Sequence, residues 1–205
     1  MMDVSEAQRD ALIELINIGF GRAAASLSQL TGYRVILEVP QVAIHPLSEL
    51  KSALARVVQG EVASVHQVFS GPVSGDALLV LDAPGAALIN QLLTGEEALP
   101  GLDGSAREVI TEVGNILLNA CLGMFGNLLH VHVSFSVPRL TLDTLGQVLD
   151  SVTVESEDLR YALIVHAGFR IREGSVTGYL VIVLGVSSLD RLLKEIDAWQ
   201  TGRSV

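Results

Sequence analysis

Two short polar patterns stand out for the chemistry they could do. Glu14 is followed three residues later by Asn17, and Glu112 by Asn115. On a helix, residues three apart share a face, with Cβ atoms about 5–6 Å from each other. A carboxylate and an amide held that way make a usable pair. The amide offers an acceptor oxygen and two N–H donors, enough to hold a water in line for attack. It is no base, because an amide is not protonated near neutrality. The carboxylate would serve as a base or dock on a cation. Neither pattern carries a nucleophile or a set of metal ligands of its own. Each therefore reads as part of a site that a second protein completes.

Both patterns extend along their helix. Asp10 precedes Glu14 by four residues, and Glu108 precedes Glu112 by four. One turn beyond the Asn, the first copy has Gly21 and Ala25 and the second has Asn119 and Gly123. Small residues beside a polar stripe let another protein's backbone come close, which marks Asp10, Gly21 and Glu108 as partner-contacting positions. A solvated helix face is the ordinary reading of one such pattern. Recurrence weighs against it, since Pro40 and Pro138 each follow the Asn by 23 positions in a chain with five Asn and six Pro.

The elements that must position these residues repeat as well. Ser5 and Gln8 form a capping box, and Leu12, Ile13, Ile16, Phe20, Ala23, Ala24, Leu27 and Leu30 follow at helical spacing as far as Thr31-Gly32. Tyr33 to Ile44 reads as strand, with Pro40 marking a bulge or an edge. Ser105 and Glu108 suggest a second capping box, with a helix to about Leu129 and a strand from Val131 to Leu142 that contains Pro138. An offset of 98 carries Glu14, Asn17 and Pro40 onto Glu112, Asn115 and Pro138. Val65-His66 meets Val165-His166 at an offset of 100, and Gly71–Gly75 meets Gly174–Gly178 at 103, each Gly-flanked step reading as a hairpin turn. Short helices are expected over Leu47–Val57, Pro84–Leu93 and Ser187–Trp199, while Gln147 to Arg160 shows less pattern. The fold class expected is α+β, with two copies of long helix, strand, hairpin and short helix about a pseudo-two-fold axis. The long helices would pack on a largely antiparallel sheet. Residues 1–205 form one domain, with repeat one at about 1–98 and repeat two at about 99–205.

Composition narrows the class. Apolar residues make up 49% of the 205 and charged residues 18%, which describes a globular chain. A formal net charge of −10 repels a nucleic-acid backbone and an anionic membrane surface alike. The single cysteine, Cys121, excludes an internal disulfide and any zinc site that needs two thiolates. The opening residues carry neither a basic nor an apolar run, and the most apolar stretch, Tyr179–Val186, is well short of the ~20 residues a spanning helix needs. A cytoplasmic location is expected.

An acidic residue or Ser, Glu four residues on, Asn three after that and Pro 23 further is the signature of the CheC/CheX/FliY phosphatases of chemotaxis, and the chain resembles that family over its whole length. Asp10, Glu14, Asn17 and Pro40 match it fully. Glu108, Glu112, Asn115 and Pro138 match except that Glu108 stands where Asp or Ser is usual, which keeps the charge. Two motifs in about 200 residues resemble the CheC type. The resemblance implies hydrolysis of the aspartyl phosphate of a CheY-like response regulator. Asn17 or Asn115 would orient the attacking water, and Glu14 or Glu112 would pair with the regulator's active-site Lys. It implies no cofactor of the protein's own, because Mg²⁺ belongs to the regulator, and it adds CheD as a further partner for which no contact residue is identified.

The remaining reactive side chains read as structural. His130 and His132 would face one way on a strand, without a third ligand to make a metal site. His66 and His166 are equivalent in the repeat and sit among apolar residues, as satisfied structural histidines do. Cys121 reads as a small core residue. Ser26, Ser28 and Ser134 lack a His–Asp partner pattern, and Gly19-Phe-Gly21 is no phosphate loop. Trp199 closes an amphipathic helix and is expected in the core. A second class stays open on these residues: a non-catalytic adaptor that binds a response regulator, CheD or a flagellar-switch component through the same surface.

Overall fold

A computed structural model describes residues 4–96, 102–153, 160–171 and 173–202. The junction between the two expected copies, at about residue 99, lies outside them. The first element is α1 (Glu6–Thr31), and it begins at the expected capping box: the Ser5 hydroxyl accepts from the Gln8 amide and the Gln8 side chain accepts from the Ser5 amide. Gly32 ends it in the left-handed conformation that glycine adopts freely. Then follow β1 (Val35–Pro46), α2 (Leu47–Ala55), the hairpin β2 (Glu61–Ser70) and β3 (Gly75–Asp82), and α3 (Ala83–Thr94). The second half runs α4 (Gly104–Leu128), β4 (Ser134–Phe135), β5 (Arg139–Thr144), α5 (Leu145–Thr153), the hairpin β6 (Arg160–Ile171) and β7 (Gly174–Gly185), and α6 (Val186–Gly202).

The described strands form one antiparallel sheet in the order β1-β6-β7-β3-β2-β4, with β5 also on β2. The pairing crosses between halves. β1 pairs with β6 of the second half, Val42 opposite Val165, and β5 pairs with β2 of the first half, Leu140 opposite Val65. Those two pairs are related by the sequence offsets of 98 and 100. At the centre β3 meets β7 with Leu79 opposite Leu180, and Val65 and Val165 of the neighbouring strands lie opposite these same two leucines. A two-fold axis between Leu79 and Leu180 would exchange the halves.

Both faces of the sheet are covered, which is why its central strands read as unbroken apolar runs rather than alternating ones. Ala77, Leu79, Leu81, Leu180 and Ile182 join α1, α3, α4 and α6 in the larger core. Leu78, Val80, Val181 and Val183 join α2 and α5 in a smaller one on the other face. Pro40 falls where it was expected to mark an interruption: β1 is an edge strand, and its register slips between Glu38 and Gln41.

Four local expectations need correction. α4 is capped by Asp103, whose carboxylate accepts from the Ala106 amide at 2.8 Å, not by a Ser105–Glu108 box. A carboxylate at the positive end of a helix is a strong cap, and it starts the helix earlier. The second strand is split into β4 and β5 around residues 136–138, and His130 and His132 precede it. Gly174–Gly178 is strand, not turn, and Gly174 already pairs with Ile171. The Leu79–Leu180 register sets the offset there at 101 instead of 103. Finally, α4 is long and apolar enough by composition to cross a membrane, although 56% of its most apolar stretch is buried inside the fold.

Candidate functional site

The two long helices lie side by side in opposite directions. Leu15, early in α1, shares a groove with Met124 and Leu128, late in α4. Leu27 and Leu30, late in α1, share another with Glu108 and Val113, early in α4. The helices come close where a Cβ on Gly19 would stand 3.2 Å from the Ala120 carbonyl oxygen and 3.3 Å from the Cys121 Cα, so glycine is what permits the approach. On each helix the core side is apolar, with Leu12, Leu15, Ile16 and Phe20 buried in α1 and Ile110, Val113, Leu117 and Leu118 in α4. The 3.6-residue period then leaves the motif stripes on the opposite side.

All the sequence-identified residues lie on these outer faces. Asp10, Glu14, Asn17 and Gly21 are exposed along α1. Glu108 and Glu112 are exposed on α4, and Asn115 is half-buried. Gly21 and Gly123 are open: a Cβ on either would meet nothing within 4 Å. The geometry therefore brings each acid–amide pair together on one face, beside a bare stretch of helix.

The two copies differ in how the amide is held. Asn115 Nδ2 donates to Glu112 Oε2 at 3.5 Å, and Asn119 Nδ2 donates to Asn115 Oδ1 at 2.7 Å. Among the described residues the Asn17 side chain has no such bond, and Gly21 occupies the place that matches Asn119. Two grooves run between the helices, and the second motif lines one of them. One of about 380 Å³ beside Glu108 and Glu112 is lined by Leu27, Leu30, Leu93 and Val113. One of about 370 Å³ beyond Leu15 is lined by Met124, Leu128, His130, Ala198 and Trp199. Sequence reading did not find these grooves, because each draws on three helices that are distant along the chain.

The other reactive side chains have structural partners. His66 Nε2 lies 3.0 Å from Asp76 Oδ1, and the His166 ring stacks on Tyr179 at 5.2 Å between centroids. Burial and the charge of Asp82 raise the Tyr179 pKa. Cys121 is buried in α4, and burial pushes its thiol well above the ordinary range. Trp199 is half-buried against the main core. Among the described residues no group of three or more His, Cys, Asp or Glu is placed to hold a metal ion.

No protein-family model matches the chain. Two curated proteins of Bacillus subtilis are similar in sequence. One is the flagellar motor switch phosphatase FliY, 25% identical over 85% of this chain and 45% of its own length. The other is the CheY-P phosphatase CheC, 26% identical over 79% of both chains. The chain thus spans less than half of that FliY and about four-fifths of that CheC. Among solved structures, Thermotoga maritima FliY superposes with a TM-score of 0.77 at 20% identity, covering 96% of this chain and 99% of that one. The FliM middle domain from H. pylori superposes at 0.64 and 14% identity, covering 94% and 99%. These likenesses show the fold. With the sequence relatives, they make the chain similar to these CheC and FliY proteins in sequence and in fold.

Proposed function

We propose that the protein hydrolyses the aspartyl phosphate of a CheY-like response regulator in chemotaxis signalling. The observation that carries this reading is the acid–amide pair on an outer helix face, presented twice beside an open stretch of helix, in a chain whose sequence relatives include a CheY-P phosphatase. The phosphoryl group and its Mg²⁺ are the regulator's, which explains why the protein needs no nucleophile at the motif. Asn17 or Asn115 enters the regulator's site and orients the water. Glu14 or Glu112 pairs with the regulator's Lys, which sets the depth and angle of entry. Catalysis of this kind works by positioning, since the phosphoryl transition state needs an aligned water and stabilised charge more than covalent chemistry. Asp10, Gly21 and Glu108 flank the amides and contact the same partner.

The test is the decay of a phosphorylated CheY-type regulator with the protein and with Asn17→Ala, Asn115→Ala and the double variant. The double variant should lose acceleration at least ~100-fold while still binding the regulator, as expected when a group that acts mainly in the transition state is removed. An equal loss of binding and turnover would end the water-orienting role. Decay no faster than the regulator's own, with binding intact, would move the protein to the adaptor class. The FliM middle domains, which share the fold, make that the natural second reading. In that case a response regulator, CheD or a flagellar-switch component would bind without being dephosphorylated.

A further inference from the structure

We propose that Asn119 is a positioning residue for Asn115, and that the two motifs differ because Gly21 stands in its place in the first copy. This rests on the phosphatase reading above and assigns a role to a residue outside the motif. Asn119 Nδ2 donates to Asn115 Oδ1 at 2.7 Å, a short bond, while Asn115 Nδ2 points at Glu112 Oε2. The three side chains form one chain along the face of α4. It settles which end of the Asn115 amide is oxygen and which is nitrogen, and it holds one rotamer. The amide oxygen has two lone pairs, so one stays open to accept a hydrogen from water, and one N–H stays open to donate. The groups a water must meet are thus aimed before the regulator arrives.

The arrangement has a cost that packing alone does not explain. Asn119 Oδ1 is buried and has no hydrogen-bond partner. An unsatisfied buried acceptor is destabilising, and an apolar residue at the same half-buried place would avoid it. In the first copy, Asn17 is exposed and the next turn is bare at Gly21. Its amide must be ordered during each encounter.

The test uses the full chain and two reciprocal exchanges. In an Asn17→Ala background, where only the second motif works, Asn119→Gly and Asn119→Ala should lower kcat about five-fold, the range expected for releasing a held side chain, with KM within two-fold. In an Asn115→Ala background, Gly21→Asn should raise kcat by a similar factor. The new side chain has room, since a Cβ there meets nothing within 4 Å. Unchanged kcat in both exchanges would overturn the proposal, and so would a change confined to thermal stability. A second readout does not depend on turnover: the order parameter of the Asn115 side-chain amide by NMR should fall in Asn119→Ala. An amide equally ordered in both proteins would overturn the proposal even in an active enzyme. A wild type that is inactive on the regulator would end the phosphatase reading, and the amide measurement would still decide the positioning role.

Discussion

At the residue scale, the chemistry of this protein rests on placing ordinary side chains rather than on unusual ones. Glu and Asn need no activation if their task is to dock and to orient, and the exposed motif faces suit that task. The chain's one thiol is spent on packing instead. Because folding keeps Cys121 neutral far above the pH at which an unfolded thiol ionises, the unfolded state loses its proton first as pH rises. Stability should therefore fall above about pH 8.5, with a slope approaching ~1.4 kcal/mol per pH unit from this group. Urea denaturation at pH 7.5, 8.5 and 9.5 should show the decline, and Cys121→Ala should flatten it. A thiol reagent should modify Cys121 only as fast as the native protein opens; rapid modification of the folded protein would contradict its burial.

At the element scale, two glycines on α4 have opposite meanings. A Cβ on Gly114 would stand 2.6 Å from Val65 Cβ, so this glycine lets the helix settle on β2. Gly114→Ala should cost about 1–3 kcal/mol, as over-packing does, and because Asn115 is adjacent it should also shift the second motif. Gly123 faces open space, and Gly123→Ala should stabilise by up to ~1 kcal/mol through helix propensity alone. Thermal melts of the two variants should move in opposite directions. Much of this level was legible beforehand: α1 runs between the capping box and the glycine stop that the sequence displays. α5 was harder to see. Leu145, Val148 and Val152 match Leu47, Leu50 and Leu54 of α2 at the offset of 98, and Leu149 completes the helical spacing, but the pattern lasts only nine residues and begins before Gln147. What makes the two helices a pair is the second core they share across the sheet, closed at its surface by Lys51 and Asp150 at 3.0 Å.

At the scale of the whole molecule, the halves interlock. β1 and β5 each pair with the hairpin of the other half, and Leu79 and Leu180 meet where the halves join. Neither half can complete its own sheet. Unfolding should therefore be one cooperative transition, with far-UV and near-UV signals coincident in urea. Two separable transitions would mean that the halves fold independently. Leu79→Ala, fully buried at the centre, should cost about 2–5 kcal/mol and lower the stability of both halves together. The same interlocking serves function. Each motif helix is held against the other's end, so the two acid–amide faces belong to one unit, and the groove beside Glu108 and Glu112 is built in part by Leu27, Leu30 and Leu93 of the opposite half.

What the sequence determined by itself is what neighbours along the chain can encode. Helical period placed Glu14 with Asn17 and Glu112 with Asn115 on single faces, a capping box and a glycine marked the ends of α1, and the recurrence of Glu-x-x-Asn with its proline pointed to a repeat and to the family it resembles. The tertiary structure decided what depends on residues far apart: the exchange of strands between halves, the split of the second strand, the antiparallel seating of α1 on α4, and the groove beside Glu108 and Glu112. The physical reason is that backbone propensity and side-chain period act over a few residues, whereas strand partners and register follow from burying both faces of one shared sheet. Even the difference between Asn17 and Asn115 follows that division. Asn119 and Gly21 are visible in the sequence as two helix positions, but only the folded helix shows one side chain reaching its neighbour and the other position standing open.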